Sequence, residues 1–210
     1  MIISSIICIV VSFLIGGIPF GFLIAKKMAG INIQEYGSGN IGSTNVGRIV
    51  GKKASHYTQY CDIGKGILTT LIVFLLDKFT NLPFYENILP LVAFATILGH
   101  DFTPFLKFKG GKGVNTTLGA SLLVCLWFSP IIVFLSVVSY YSVKKLTKYV
   151  SLGSISIAIT LPIFYTILSL IFKQFNFVLL IYYVAAGLLM VLKHHANISR
   201  LIHHDENKAV

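Results

Sequence analysis

The sequence predicts an all-α integral membrane protein, a seven-helix bundle with some short helices, its N-terminus outside and its C-terminus cytoplasmic. Three observations carry this prediction. Mean hydropathy is +0.82, and 11% of the 210 residues are charged, too few to clothe a soluble domain. Several apolar runs approach bilayer-spanning length and are continuous, without the alternation of a membrane β-strand. Lys and Arg are distributed unevenly between the loops that join these runs, as orientation in a bilayer requires. The length suits one polytopic domain, 1–210, with no internal repeat.

The first run covers residues 2–25. No Lys or Arg precedes it, Lys26 and Lys27 follow it, and it lacks a small-x-small cleavage site. It therefore reads as a retained anchor entering from outside, not a signal peptide. Further spans are expected near 61–77, 84–100, 151–171 and 176–193. Segment 114–143 is too long for one comfortable crossing. The loop before it carries Lys107, Lys109 and Lys112, and the loop after it Lys144, Lys145 and Lys148. One span would put these loops on opposite sides. A break near Trp127–Pro130, where proline removes a helix donor, returns both to the cytoplasm. Each half then runs about 15 residues, or roughly 22 Å of helix, which is short for a crossing and also fits a half-dipping hairpin. On this threading only Lys78 and Lys173 lie outside.

The net charge of +10 follows from this positive-inside bias and an anionic substrate; nucleic acid is not expected as a partner. Cys8, Cys61 and Cys125 lie in or beside apolar runs without metal-type spacing and read as buried thiols. His194, His195, His203 and His204 include adjacent pairs that diverge on a helix, and no metal site is expected.

The least apolar stretch is Gly37-Ser38-Gly39-Asn40-Ile41-Gly42-Ser43-Thr44-Asn45-Val46-Gly47-Arg48. Closely spaced glycines let successive N–H groups turn toward one point and hold an anion, and Arg48 adds a planar charged fork suited to phosphate. The letters Gly37-x-Gly39-x-x-Gly42 match a dinucleotide fingerprint, but no strand or βαβ unit surrounds them. Lys109-Gly110-Gly111-Lys112 is not a Walker loop: Leu106 stands where its first glycine belongs, and Gly113 follows the lysine. A lysine about 4 Å from a phosphate charge gains on the order of 4 kcal/mol at an effective dielectric near 20.

The threading puts four polar segments on one membrane face: 37–48, 99–113, 149–154 and 193–200. Together they read as the lining of one interfacial site. Ser151 and Ser154 begin an apolar helix, where N-capping alone explains one of them. Asp62 and Lys65, three apart at a helix start, read as a local pair whose membrane depth makes a functional contact worth testing. His100-Asp101 at a helix end reads as a local pair, a cap or a base with its orienter. No His-x4-Asp occurs, which argues against the general-base mechanism of one large class of glycerolipid acyltransferases.

In this order the motifs resemble a family: the bacterial membrane glycerol-3-phosphate acyltransferases that use acyl phosphate as donor, the PlsY type. The resemblance runs through residues 16–26, 37–48, Asp62-x-x-Lys65-Gly66, Gly99-His100 to Val114, 149–154 and His194-x-x-Asn197-Ile198-x-Arg200-Leu201. Ser12, Ser43, Asn115 and the tail His203-His204-Asp205-Glu206 depart from its pattern. The resemblance implies transfer of a fatty acyl group from acyl phosphate to glycerol 3-phosphate, giving 1-acyl-glycerol 3-phosphate (lysophosphatidate) and phosphate, the first acylation of phospholipid synthesis. It implies no cofactor, a multi-pass plasma-membrane location with the active site toward the cytoplasm, and functional coupling to the enzyme that forms acyl phosphate. Carried over by position, Ser38, Asn40, Arg48, Lys109, Lys112, Ser151, His194 and Asn197 bind substrate, and His194, Lys112 and Arg48 are catalytic. The ranking of Lys109 against Lys112, and of Ser151 against Ser154, stays open, as does the base: His194 or the donor's own phosphate. Direct transfer is favoured over an acyl-Ser38. The alternative reading is a transporter of a phosphorylated solute.

Overall fold

The computed structural model of the chain describes residues 2–80 and 85–208, and these are helical with no strand among them. The all-α expectation holds. The chain divides into two compact units, residues 1–120 and 121–210.

In the first unit, α1 (Ile2–Gly17) and α2 (Phe20–Ala29) fill the run expected as one span over 2–25. Pro19 has no N–H to continue the helical ladder, so the chain breaks at Ile18–Pro19. The carbonyls this frees are not left orphaned: the Thr103 hydroxyl donates to Gly17 O, and Lys65 Nζ donates to Ile18 O at 3.1 Å. A 3-10 turn at Ile33–Glu35 and α3 (Ser43–Ile49) lead into α4 (Lys52–Thr80), which begins nine residues before the expected 61. Asp62 and Lys65 therefore lie in mid-helix, not at its start. Next comes α5 (Tyr85–Asp101); the expected start of this span at 84 lies outside the described residues. α1 packs on α5 through Gly16, where a Cβ would strike the Thr96 backbone, and Gly99, where it would strike Phe13. Small residues at such a crossing let two helices approach closely without a hydrophobic driving force from water. A 3-10 turn at Pro104–Leu106 and α6 (Val114–Ser121) follow.

The break expected at Trp127–Pro130 is real but earlier and longer. Helix stops at Ser121 and resumes at Ser129, so residues 122–128 form the interruption. Pro130 sits in the first turn of α7 (Ser129–Thr147), where its missing N–H would be unpaired anyway. It starts the second helix; it does not break the first. α6 has 8 residues and is about 12 Å long, so helix alone carries this arm only part of the way across a bilayer.

In the second unit α7 packs on α8 (Val150–Ile171), and α8 on α9 (Phe177–Lys193), which is followed by α10 (His195–Ile202). The spans expected at 151–171 and 176–193 agree within a residue. Buried aromatics join them: Tyr165 stacks on Tyr183 with centroids 5.1 Å apart, and the Tyr183 hydroxyl lies 2.8 Å from Ser129 Oγ. The Tyr165 hydroxyl donates to Asn176 O at 2.7 Å and accepts from its N–H at 2.9 Å, pinning the α8–α9 turn.

Among the described residues four stretches are long and apolar enough to cross a membrane: Ile2–Ala29, Lys52–Phe79, Ile88–Leu106 and Val150–Ile171. A fifth arises if α9 and α10, bent by 57°, count together. Their outward faces expose Val10, Leu14, Leu75, Ile167 and Leu188, as a lipid solvent allows. The three cysteines are free and half-buried, less enclosed than the apolar runs around them suggest.

Candidate functional site

The glycine loop is held open from within. Gly37 and Gly39 adopt φ of +61° and +68°, the left-handed region that costs glycine little. They swing the chain around one buried carboxamide. Asn45, 3% exposed, accepts from Ser38 N–H at 3.0 Å and donates to Tyr36 O at 3.0 Å and Asn40 O at 2.9 Å. Asn40 caps the turn before α3, its side-chain oxygen accepting from Gly42 N–H at 2.8 Å. Ser38 and Arg48 stand exposed on the rim. Ser38 and Asn40 are thus drawn together around Asn45, which the sequence reading does not single out, while Arg48 stands in the last turn of α3. Its signal was present: an Asn inside a Gly/Ser/Asn run is the residue that hydrogen-bonds local backbone.

The lysine loop joins the same unit. Thr103 caps its 3-10 turn, accepting from Phe105 N–H at 3.3 Å. Lys107 and Phe108 both take left-handed conformations, φ 52° and 61°, unusual for side chains of their size. The two loops are stitched together: Gln34 Nε2 donates to Lys109 O at 3.2 Å, and Asn115 Nδ2 to Ser43 Oγ at 3.2 Å. Two of the residues that depart from the family pattern, Ser43 and Asn115, thereby bond to each other. Lys109 is exposed and Lys112 half-buried.

Under the lysine loop lies a charged group inside the helices. Lys65 Nζ is 3.0 Å from Asp62 Oδ1 and 2.8 Å from His100 Nδ1, and all three side chains are at least nine-tenths buried. The Asp62–Lys65 pair is therefore local, as its spacing suggests, and also reaches a second helix through His100. Gly111 N–H donates to His100 O at 3.0 Å.

The second unit has its own polar group. Ser151, buried in the first turn of α8, caps nothing: Tyr149 holds the N-cap position without a side-chain bond, and the Ser154 hydroxyl turns back to Val150 O at 3.1 Å. The capping explanation for this pair fails. His194, 3% exposed, stands at the α9–α10 corner with Nδ1 2.7 Å from Met190 O. A carbonyl only accepts, so Nδ1 carries the proton, and Nε2 is the basic nitrogen of the neutral ring. Asn197 Nδ2 donates to Glu206 Oε1 at 2.7 Å, and Arg200 Nε to Glu206 Oε2 at 2.7 Å. Glu206 belongs to the tail that looked atypical, yet it is 8% exposed and clamps α10. Burial pushes its carboxyl up, but the hydrogen bonds from Asn197 and Arg200 prevail and hold it below the ordinary carboxylate range.

These features define an all-helical integral membrane protein that concentrates its cations, amides and hydroxyls at helix ends. The model of the family described as glycerol-3-phosphate acyltransferase matches residues 6–204, and the chain belongs to that family. It is 45% identical to a glycerol-3-phosphate acyltransferase of Clostridium acetobutylicum, over 96% of this chain and 98% of the relative. It is 35% identical to one of Staphylococcus aureus, over 97% and 96%. Its fold resembles the crystal structure of PlsY, an integral membrane glycerol 3-phosphate acyltransferase, in the glycerol 3-phosphate form, with a TM-score of 0.86 and 31% identity over 99% of this chain and 96% of that one. The lysophosphatidic acid form of PlsY gives a TM-score of 0.83 at the same identity, over 98% and 95%.

Proposed function

We propose that the chain moves a fatty acyl group from acyl phosphate to glycerol 3-phosphate, giving lysophosphatidate and inorganic phosphate, the first acylation of phospholipid synthesis. One observation carries this reading: near-complete likeness to PlsY in forms named for an acceptor and for an acylated product. The transporter alternative is dropped, because the family and its relatives are acyltransferases.

In the reaction the acceptor hydroxyl oxygen attacks the carbonyl carbon of acyl phosphate. The carbon–oxygen bond to phosphate breaks, and phosphate leaves with the electron pair. An acyl phosphate is already activated, so the protein mainly positions two anionic substrates and offsets their charge. Ser38, Arg48, Lys109 and Lys112 serve phosphate. Ser151, His194 and Asn197 serve phosphate and glycerol. Asn40 shapes the loop that presents Ser38. The hydroxyl proton passes to Nε2 of His194 or to the departing phosphate; the Met190 contact, which keeps the other ring nitrogen protonated, favours the histidine.

The whole chain, 1–210, works as one polytopic domain in the plasma membrane, threaded seven times with its N-terminus outside and the reaction at the cytoplasmic face. The basic loops 107–112 and 144–148 support that orientation. There it draws acyl phosphate from the enzyme that makes it. The test is direct: purified protein in detergent receives glycerol 3-phosphate with either acyl phosphate or acyl-CoA. Lysophosphatidate from acyl phosphate alone is expected; product from acyl-CoA, or none from either, overturns the reading.

A further inference from the structure

We propose that Asp62, Lys65 and His100 are positioning residues that set the lysine loop, and through it the seat of the substrate phosphate. The proposal rests on the acyltransferase reading above, and on Lys112 serving a phosphate. An ammonium has three protons and no lone pair. The partners of Lys65 Nζ are Asp62 at 3.0 Å, Ile18 O at 3.1 Å and His100 Nδ1 at 2.8 Å. With three partners on three elements, α4, the α1–α2 break and α5, the ammonium is fixed in space. It fixes the imidazole in turn. Because Lys65 donates, His100 Nδ1 accepts, and the ring proton sits on Nε2.

That far side of the ring is the floor of the loop. A Cβ added to Gly111 would strike His100 Nε2 and its neighbouring ring carbons, and one added to Gly110 would strike His100 O. Gly111 N–H is bonded to the same carbonyl at 3.0 Å. A Cβ on Gly113 would come within 3.1 Å of Asp101 Oδ1. The glycines on either side of Lys112 therefore lie flat on the His100–Asp101 step, and only glycine permits that approach. The height and tilt of Lys112 follow from where the ring sits. The ring sits where a neutralised, buried ion pair holds it. This gives the glycine pair before Lys112 a role beyond flexibility, and explains a charged pair inside the helices that touches no substrate in the reaction above. Such a pair is expensive to bury, and rigid placement of a reacting-site cation is a return that catalysis rewards.

Two variants separate positioning from general stability. In His100→Asn the side-chain oxygen can still accept from Lys65, but the ring under Gly111 is gone. In Gly111→Ala all three triad side chains are kept, and the new methyl, which meets the His100 ring, forces loop and ring apart. Each is purified, its thermal transition in detergent is recorded, and KM for each substrate and Ki for inorganic phosphate are measured. Expected in both is a parallel rise of at least tenfold in Ki for phosphate and in KM for one phosphorylated substrate, a smaller change in kcat, and a transition within a few degrees of wild type. An unchanged Ki in Gly111→Ala overturns the proposal, as does loss of folding in both variants or a fall in kcat alone. Wild-type protein that makes no lysophosphatidate would instead refute the functional reading.

Discussion

Asn45 and Glu206 touch no substrate in the proposed reaction, yet they hold residues of the proposed site, Ser38 and Asn40 in one case and Asn197 in the other. Ser38, Arg48 and Lys112 stand out in the sequence as candidates because hydroxyls, glycines and cations in an apolar chain have few other reasons to cluster. Asn45 was hidden among them: its letter is equally consistent with a solvated loop, and only the geometry turns its amide inward. Glu206 was hidden for the opposite reason, since an acid in a polar tail reads as solvated. Arg48→Ala and Lys112→Ala are expected to lower transfer at least a hundredfold while the proteins remain inserted and folded, a loss on the order of 3 kcal/mol of transition-state stabilisation. Turnover near wild type in both would remove these residues from the site. For Glu206 the sign is fixed by its lowered carboxyl. Its stabilisation is fully present above the ordinary carboxylate range and is lost as pH falls through the depressed folded value. Glu206→Gln should therefore lower the thermal transition at neutral pH, and the gap to wild type should close on acidification. A gap independent of pH contradicts the clamp.

Helices were located from the sequence wherever an apolar run ended at a polar motif, as at Val150, Ile171, Phe177 and Lys193. They were mislocated where hydrophobicity and helix part company. α4 begins at Lys52 because a helix continues through polar residues once its core-facing side is packed. The interruption at 122–128 was expected near Trp127–Pro130 because proline is the visible breaker, although proline is tolerated in a first turn. The proposed threading puts this turn outside. A cysteine introduced at Trp127, 80% exposed, should react in intact cells with a thiol reagent that cannot cross the membrane. Reaction only after the cytoplasmic side is opened would reverse the thread for this hairpin.

At the scale of the molecule, composition settled the class early, since a chain this apolar has no soluble alternative. The chemistry needed the order of the motifs, because no single one of them excludes a flexible connector or a topology signal. What the fold adds is a division of labour. Residues 1–120 hold the glycine and lysine loops and, in contact with the lysine loop, a buried charged triad, and residues 121–210 hold a histidine in a defined tautomer beside an acid-clamped corner. The central claim is direct acyl transfer to glycerol 3-phosphate. It is tested by counting lysophosphatidate against inorganic phosphate released from acyl phosphate, with and without the acceptor. One phosphate per lysophosphatidate is expected, with no sustained release when glycerol 3-phosphate is withheld. Steady phosphate release without lysophosphatidate, or a labelled acyl chain left on the protein, contradicts it.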